Sequence, residues 1–209
     1  MRAATWYFDF VSPFAYICLH RLKELPPAVS IEYRPVLFAG LLNHWGQKGP
    51  AELDPKRRYT YRWCHWWAGS LGIPFRFPAA HPFNPLHHLR LAIACGLKPE
   101  AVRKIFDSIW ATGADASDQG RFAALCAELG VTADALAAPE IKNALKRNTD
   151  AAAQTGVFGV PTIEVDGELF WGADSMDFLR AFLTDPATLR SEEMRRLDGL
   201  PVAAARRTS

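Results

Sequence analysis

Ser12 and Pro13 directly follow the apolar run at residues 5–11, and this pair is the first place where chemistry is expected. A serine at an N-cap accepts a hydrogen bond from an orphan amide, and a proline at N1 has no amide to leave unpaired, so a helix starts here. Its N-terminal end favours negative charge. Val160-Pro161 stands just before a β-branched run, where the proline either opens a strand or sits in a turn that tolerates a cis bond. Trp171-Gly172-Ala173-Asp174 precedes another apolar segment, with Asp174 and Ser175 in N-cap register. Cys18, Cys64, Cys95 and Cys126 are scattered singly, with no C-x-x-C pair, and read as small buried hydrophobes rather than a redox or zinc site. Cys64-His65, His81 and His87-His88 have ligand side chains but no metal-binding spacing, so no metal is expected. Phosphate loops, dinucleotide-binding glycine runs and G-x-S-x-G are absent.

These residues need elements to hold them. Residues 5–11 are aromatic and β-branched with one charge, which predicts a buried strand. A helix over 13–25 follows, with Ala15, Cys18, Leu19 and Leu22 on one face and Pro26-Pro27 ending it. Residues 31–36 alternate like a second strand, and Pro35 marks an edge or an end. From Gly40 to Gly156 the pattern is helical: Asp54-Pro55, Asn84-Pro85, Pro99 and Ser117 open helices, and Gly72, Gly96 and Gly130 close them. The clearest amphipathic stripe is Val102, Ile105, Phe106, Ile109 and Trp110; Phe122, Leu125, Cys126 and Leu129 form the next. A short helix is expected over 132–137, and a last one carries Ile141, Ala144, Leu145 and Ala152. Strands at 162–165 and 168–171 flank Asp166-Gly167, a strong hairpin signal. A closing helix runs to Leu183, and a polar, alanine-rich tail follows. Trp63, Trp66 and Trp67, crowded near Tyr59 and Tyr61, read as core, with an aromatic pocket wall as the alternative.

Composition narrows the function classes. The 209 residues are 49% hydrophobic and 22% charged, enough apolar surface for a core. A balance of 24 basic to 22 acidic residues is too even for a phosphate-backbone grip, so nucleic acid is not expected as a partner. No apolar stretch spans a membrane, and the opening residues carry no leader, which predicts a soluble cytoplasmic protein with no membrane partner.

Three stretches, Trp6-Tyr-Phe-Asp-Phe-Val-Ser-Pro-Phe-Ala-Tyr16, His81-Pro-Phe-Asn-Pro-Leu86 and Gly156-Val-Phe-Gly-Val-Pro-Thr162 with Phe170-Trp-Gly-Ala-Asp174, resemble the 2-hydroxychromene-2-carboxylate isomerase family. That family is related to kappa-class glutathione transferases and to the DsbA-like branch of the thioredoxin fold. The resemblance implies an α/β thioredoxin-like fold with a helical domain inserted in the middle. Residues 1–40 and 156–185 would form the thioredoxin-like domain, 41–155 the helical insertion and 186–209 a C-terminal tail. Redox relatives place a cysteine pair where this chain has Ser12-Pro13-Phe14-Ala15, which can neither exchange nor resolve a disulfide.

The implied cofactor is glutathione. The Ser12 hydroxyl would donate to its sulfur and serve catalysis, Val160 before Pro161 would pair with its cysteinyl part, and Trp171, Gly172, Ala173 and Asp174 would meet its γ-glutamyl end. On the substrate side, relatives carry a lysine near Leu42 and polar or basic residues near Glu52 and Leu53, which this chain lacks. Lys48 is a candidate in their place, although Lys48, Lys56, Arg57 and Arg58 also fit a solvated helix edge. His81 and Asn84 are further substrate candidates, and Asn84 alone would also serve as a helix cap. The implied activity is glutathione-dependent isomerisation of 2-hydroxychromene-2-carboxylate or a similar aromatic-derived carboxylate, by reversible thiolate addition without net redox change. The alternatives are kappa-type conjugation of glutathione to an electrophile and a non-catalytic thioredoxin-like binding module. The resemblance also implies a homodimer.

Overall fold

The computed structural model describes residues 1–204. Four strands form one sheet: β1 (Arg2–Phe8), β2 (Val29–Pro35), β3 (Thr162–Val165) and β4 (Glu168–Trp171), in the order β2-β1-β3-β4. β1 pairs in parallel with β2 and antiparallel with β3, so it is central. Its alternation divides the core. Ala4, Trp6 and Phe8 enter the larger apolar cluster with Ile163, Val165 and Phe106, while Tyr7 enters a smaller one with Val36, Leu41, Ala152 and Val157. Both faces of the strand are therefore covered. β1 starts and ends earlier than its aromatic pattern predicts, at Arg2 and Phe8 rather than residues 5 and 11. The ladder stops because Pro35, opposite Phe8, closes β2 at the sheet edge, and Asp9 bends the chain so that its carbonyl accepts from Ser12 N at 3.1 Å.

Helix α1 (Pro13–Arg21) joins β1 to β2 and continues as a 3-10 turn over Leu22–Glu24. Seven helices then lie between β2 and β3: α2 (Phe38–Trp45), α3 (Asp54–Ser70), α4 (Leu86–Ala94), α5 (Pro99–Trp110), α6 (Gln119–Glu128), α7 (Ala133–Ala137) and α8 (Pro139–Gln154). The α5 stripe is buried as its period predicts, from Val102 to Trp110. The cap of α6 differs from expectation. Asp118 accepts from Arg121 N at 3.1 Å, while Ser117 donates to Asp115, because Asp115 and Ser117 close a turn before the helix begins. The hairpin has Asp166 at φ 53° and Gly167 at φ 83°, the two positive angles a two-residue turn between twisted strands requires.

Beyond β4, α9 (Met176–Thr184) packs Met176, Leu179 and Phe182 inward. The expected tail is not wholly irregular: a 3-10 turn over Pro186–Leu189 and α10 (Glu192–Asp198) occupy it, and Ser191 caps α10 through Met194 N. The last five tail residues lie outside the described residues. No helix among the described residues is long and apolar enough to cross a membrane.

Two of the three tryptophans of α3 correct the core reading, while Trp67 is half-buried and packs against the core. Trp66 is 61% exposed and Trp63 37%, and they stack on one another at 5.2 Å between ring centroids. Residues 59, 63 and 66 share the outer stripe of α3, whereas Cys64 and Ala68 take the inner one. The fully buried indoles are Trp6 and Trp110, and Trp110 donates from Nε1 to the Phe10 carbonyl at 2.8 Å. Trp110→Phe is therefore expected to destabilise by about 2–3 kcal/mol, through lost packing and an unpaired buried carbonyl. Trp66→Ala should stay within about 1 kcal/mol. Urea unfolding of the two variants checks the contrast.

Candidate active site

The helix start predicted at Ser12 is present, and its cap is explicit: Ser12 Oγ accepts from Ala15 N at 3.2 Å. The same hydroxyl donates to the carbonyl of Val160 at 3.4 Å, across 148 positions of sequence. Ser12 is 5% exposed. Val160-Pro161 is a cis peptide bond, as is His81-Pro82. The structure thus brings the α1 N-terminus against the turn before β3. This turn is braced from within, by Thr162 Oγ1 donating to Gly159 O at 2.7 Å, and from β4, by Gly172 N donating to Pro161 O at 2.9 Å.

Around this meeting point, α2 acts as a clamp. Trp45 Nε1 donates to Val157 O at 2.9 Å, and the Gln47 amide donates to Phe158 O at 2.6 Å. Gly159 lies beneath Trp171, where an added Cβ would fall 2.5 Å from the indole nitrogen, so the close approach needs glycine. Trp171 itself is 55% exposed and packs on the half-exposed Phe158 at 5.0 Å. These two aromatics form an apolar rim beside the Val160 turn.

The segment from Trp171 to Asp174 is fixed differently from its sequence reading. Gly172 has φ 92°, a conformation that suits glycine, and Ala173–Ser175 form a 3-10 turn. Asp174 is thereby placed inside the turn, so the N-cap of α9 is Ser175, with no side-chain cap bond. The Ser175 hydroxyl instead donates to Gly172 O at 2.7 Å. Ala173 is buried, and its carbonyl accepts from Arg21 Nη1 at 2.8 Å, which ties this turn to the end of α1. The Asp174 carboxylate is exposed to solvent.

Of the substrate candidates, His81 lies nearest to Ser12 along the hydrogen-bond network, with Nε2 at 2.7 Å from the carbonyl of Val11. Its Nδ1 is 2.7 Å from the Tyr61 hydroxyl, so both ring nitrogens are engaged within the protein. Lys48 is exposed, in the loop after α2 that Gln47 ties to Phe158. Asn84 is exposed and accepts from Leu86 N at 3.1 Å, the local capping geometry open to it from sequence. Leu53 is exposed, and Glu52 is spent on Gly49 N at 2.6 Å. Two clefts of about 440 and 480 Å³ open among α4, α5 and α6, and neither holds a predicted site residue.

Sequence reading passed over Asp9, although it is the single charge in its apolar run. The carboxylate is 0% exposed, accepting from Val11 N at 3.0 Å and from Phe38 N at 2.8 Å. Burial pushes its pKa up to about 7, against the pull of these amide donors. No chain thiol offers an anion nearby: burial pushes the Cys18 and Cys64 thiols up to about 12. The helix end with its hydroxyl is suited to receive an anion.

The chain's likeness to known proteins agrees with this layout. The DSBA-like thioredoxin domain matches residues 5–184. A 2-hydroxychromene-2-carboxylate isomerase of Sphingobium xenophagum is 32% identical over 193 residues, covering 88% of this chain and 99% of the relative. Human glutathione S-transferase kappa 1 is 26% identical, covering 87% of this chain and 91% of the relative. Among solved structures, a 2-hydroxychromene-2-carboxylate isomerase superposes with a TM-score of 0.76 at 24% identity, covering 95% of this chain and 100% of the other.

Asp9 makes stability pH-dependent with a defined sign. Its folded pKa lies above the unfolded value, so the folded state binds the extra proton. The stabilisation is complete below about pH 4 and is lost as pH rises through about 7. A shift of this size corresponds to at most about 4 kcal/mol. Urea unfolding between pH 4 and 8 should show wild type losing stability relative to Asp9→Asn as pH rises; parallel profiles would rule the shift out.

Proposed function

This chain belongs to the DSBA-like thioredoxin family and, within it, to the 2-hydroxychromene-2-carboxylate isomerases, and from that premise we propose that it is a glutathione-dependent isomerase of 2-hydroxychromene-2-carboxylate or a similar aromatic-derived carboxylate. The observation that carries the proposal is the Ser12 hydroxyl standing at the head of α1 and facing the Val160 carbonyl, in a protein with no cysteine at either place. Glutathione fits this arrangement. The Ser12 proton, now directed at Val160 O over a long 3.4 Å contact, is available to a sulfur, and the helix end favours that sulfur as thiolate.

In this reading the backbone of Val160, before Pro161, pairs with the cysteinyl peptide. Trp171 covers one side of the tripeptide, while Gly172 and Ala173 offer backbone and Asp174 a carboxylate to the γ-glutamyl amine. Bound there, glutathione supplies a thiol nucleophile that adds reversibly to the conjugated substrate and is regenerated. The chain's own contribution is to hold the thiol deprotonated, orient it, and shield it beside the Phe158–Trp171 rim. Lys48, exposed on the loop tied to this turn, is proposed to receive the substrate carboxylate, with Asn84 as the other candidate; the ring nitrogens of His81 are both taken up within the protein. The same reading takes residues 1–40 and 156–185 as the thioredoxin-like domain around a helical domain at 41–155, and the protein as a homodimer on the family resemblance; a cytoplasmic location is proposed from the sequence reading above.

Glutathione at ten times its Kd should stabilise wild type by about 1.4 kcal/mol, a rise in Tm of about 3–6 °C for a chain of this size. Ser12→Ala should lose most of that rise. Interconversion of the chromene carboxylate with glutathione left unconsumed is the expected activity. Conjugation of an aryl halide with consumption of glutathione would assign the protein to kappa-type transfer instead, and absence of any shift in Tm would remove the cofactor from both.

A further inference from the structure

The peptide groups on either side of Val11 are held by two ionisable side chains. On one side Val11 N donates to Asp9 Oδ1 at 3.0 Å, and on the other Val11 O lies 2.7 Å from His81 Nε2. A carbonyl only accepts, so Nε2 carries a proton in this contact. In a neutral ring Nδ1 is then an acceptor, and the one Tyr61 proton is shared between it and the His81 carbonyl, to which the hydroxyl donates; both lie 2.7 Å from the phenol oxygen. Ring orientation is fixed further by packing: Phe77 and Trp110 meet His81 at 5.7 and 5.5 Å. Burial lowers the His81 pKa, which keeps the neutral ring as the ordinary form.

The carbonyl held by His81 belongs to the peptide bond whose nitrogen is that of Ser12, and that nitrogen donates to Asp9 O at 3.1 Å. Helix α3 thus reaches the serine through Tyr61, His81 and one peptide plane. We propose that His81, oriented by Tyr61, is a positioning residue that fixes the Ser12 hydroxyl for the ligand's sulfur rather than touching the substrate itself. The inference rests on the glutathione reading above. A displaced peptide plane would swing Ser12 Oγ off the line to the sulfur, and small errors in such alignment cost about 10- to 100-fold in rate. Binding of the tripeptide through Val160 and Trp171 would be little affected, so the loss should fall on kcat.

The test uses His81→Phe, which keeps an aromatic ring and removes the donor, with His81→Gln, which restores a donor, and Tyr61→Phe as a milder variant for the case that His81→Phe does not fold. The readouts are the pKa of enzyme-bound glutathione, from thiolate absorbance across pH, and the split between kcat and KM. His81→Phe is expected to raise the bound thiol's pKa toward the free value and to lower kcat about 10- to 100-fold, with KM for glutathione within about threefold. Gln should recover part of both effects, Tyr61→Phe should move the pKa in the same direction by less, and neither readout should change further when His81→Phe is combined with Ser12→Ala. A thiol pKa that depends on Ser12 but not on His81 or Tyr61 overturns the positioning role alone. The same holds if His81→Phe has an equal effect in the Ser12→Ala background. No bound thiolate in wild type overturns the glutathione reading and this inference with it.

Discussion

Four residues between the end of β1 and the start of α1 carry the site, and the constraint on them is that their buried polar groups must all be paired. Asp9 brings a carboxyl group into a fully buried position, held there by amides from its own turn and from the first residue of α2. The Asp9 carbonyl receives Ser12 N, the Phe10 carbonyl receives the Trp110 indole, and the Val11 carbonyl faces His81. The turn is therefore tied to α2, α5 and the loop after α3 as well as to the sheet. An irregular segment held at so many points behaves as a rigid part of the core, as a serine meant to meet a reacting atom requires.

The opposite wall of the site is assembled by a different device. The Val160 turn follows α8 and leads into β3, and its outer carbonyls at Val157 and Phe158 are taken by Trp45 and Gln47 from the end of α2. Since α2 begins at the amide that Asp9 holds, one helix spans from the Ser12 turn to the Val160 turn. The pairing of β1 with β3 places the two turns side by side, and this eight-residue helix braces them with a hydrogen bond at each end. Gly159 lets Trp171 close over the top of this wall, and Arg21 joins the far end of α1 to the turn below it.

Tryptophan is used here in two physically distinct ways. Trp6 and Trp110 fill the core, where the first packs against Phe8 and Phe106 and the second also satisfies a buried carbonyl. Trp63, Trp66 and Trp171 keep large faces in water. Self-stacking of Trp63 and Trp66 removes part of that cost. For Trp171, the exposed indole is where the proposed function needs apolar cover beside a thiol.

Local sequence was enough for the α1 start and cap at Ser12-Pro13, the amphipathic stripe of α5 and the Asp166-Gly167 hairpin, which depend on neighbours within a few residues, but not for the caps of α6 and α9, which fell to Asp118 and Ser175. The family resemblance of its motifs pointed to Ser12, Val160 and the 171–174 turn as a site, whereas spacing alone read them as a helix cap, a strand start and a second cap. Which of these meet was settled by packing across the fold. The Ser12–Val160 contact, the Asp9 bond to Phe38 and the His81 bond to Val11 link residues 148, 29 and 70 positions apart, and no local periodicity encodes such pairs. The outward stripe of α3 was likewise invisible, since tryptophans at that spacing suit a buried face as well as an exposed one. Burial gave Asp9 its raised pKa, and burial is a property of everything packed around a residue rather than of the residue and its neighbours in the chain.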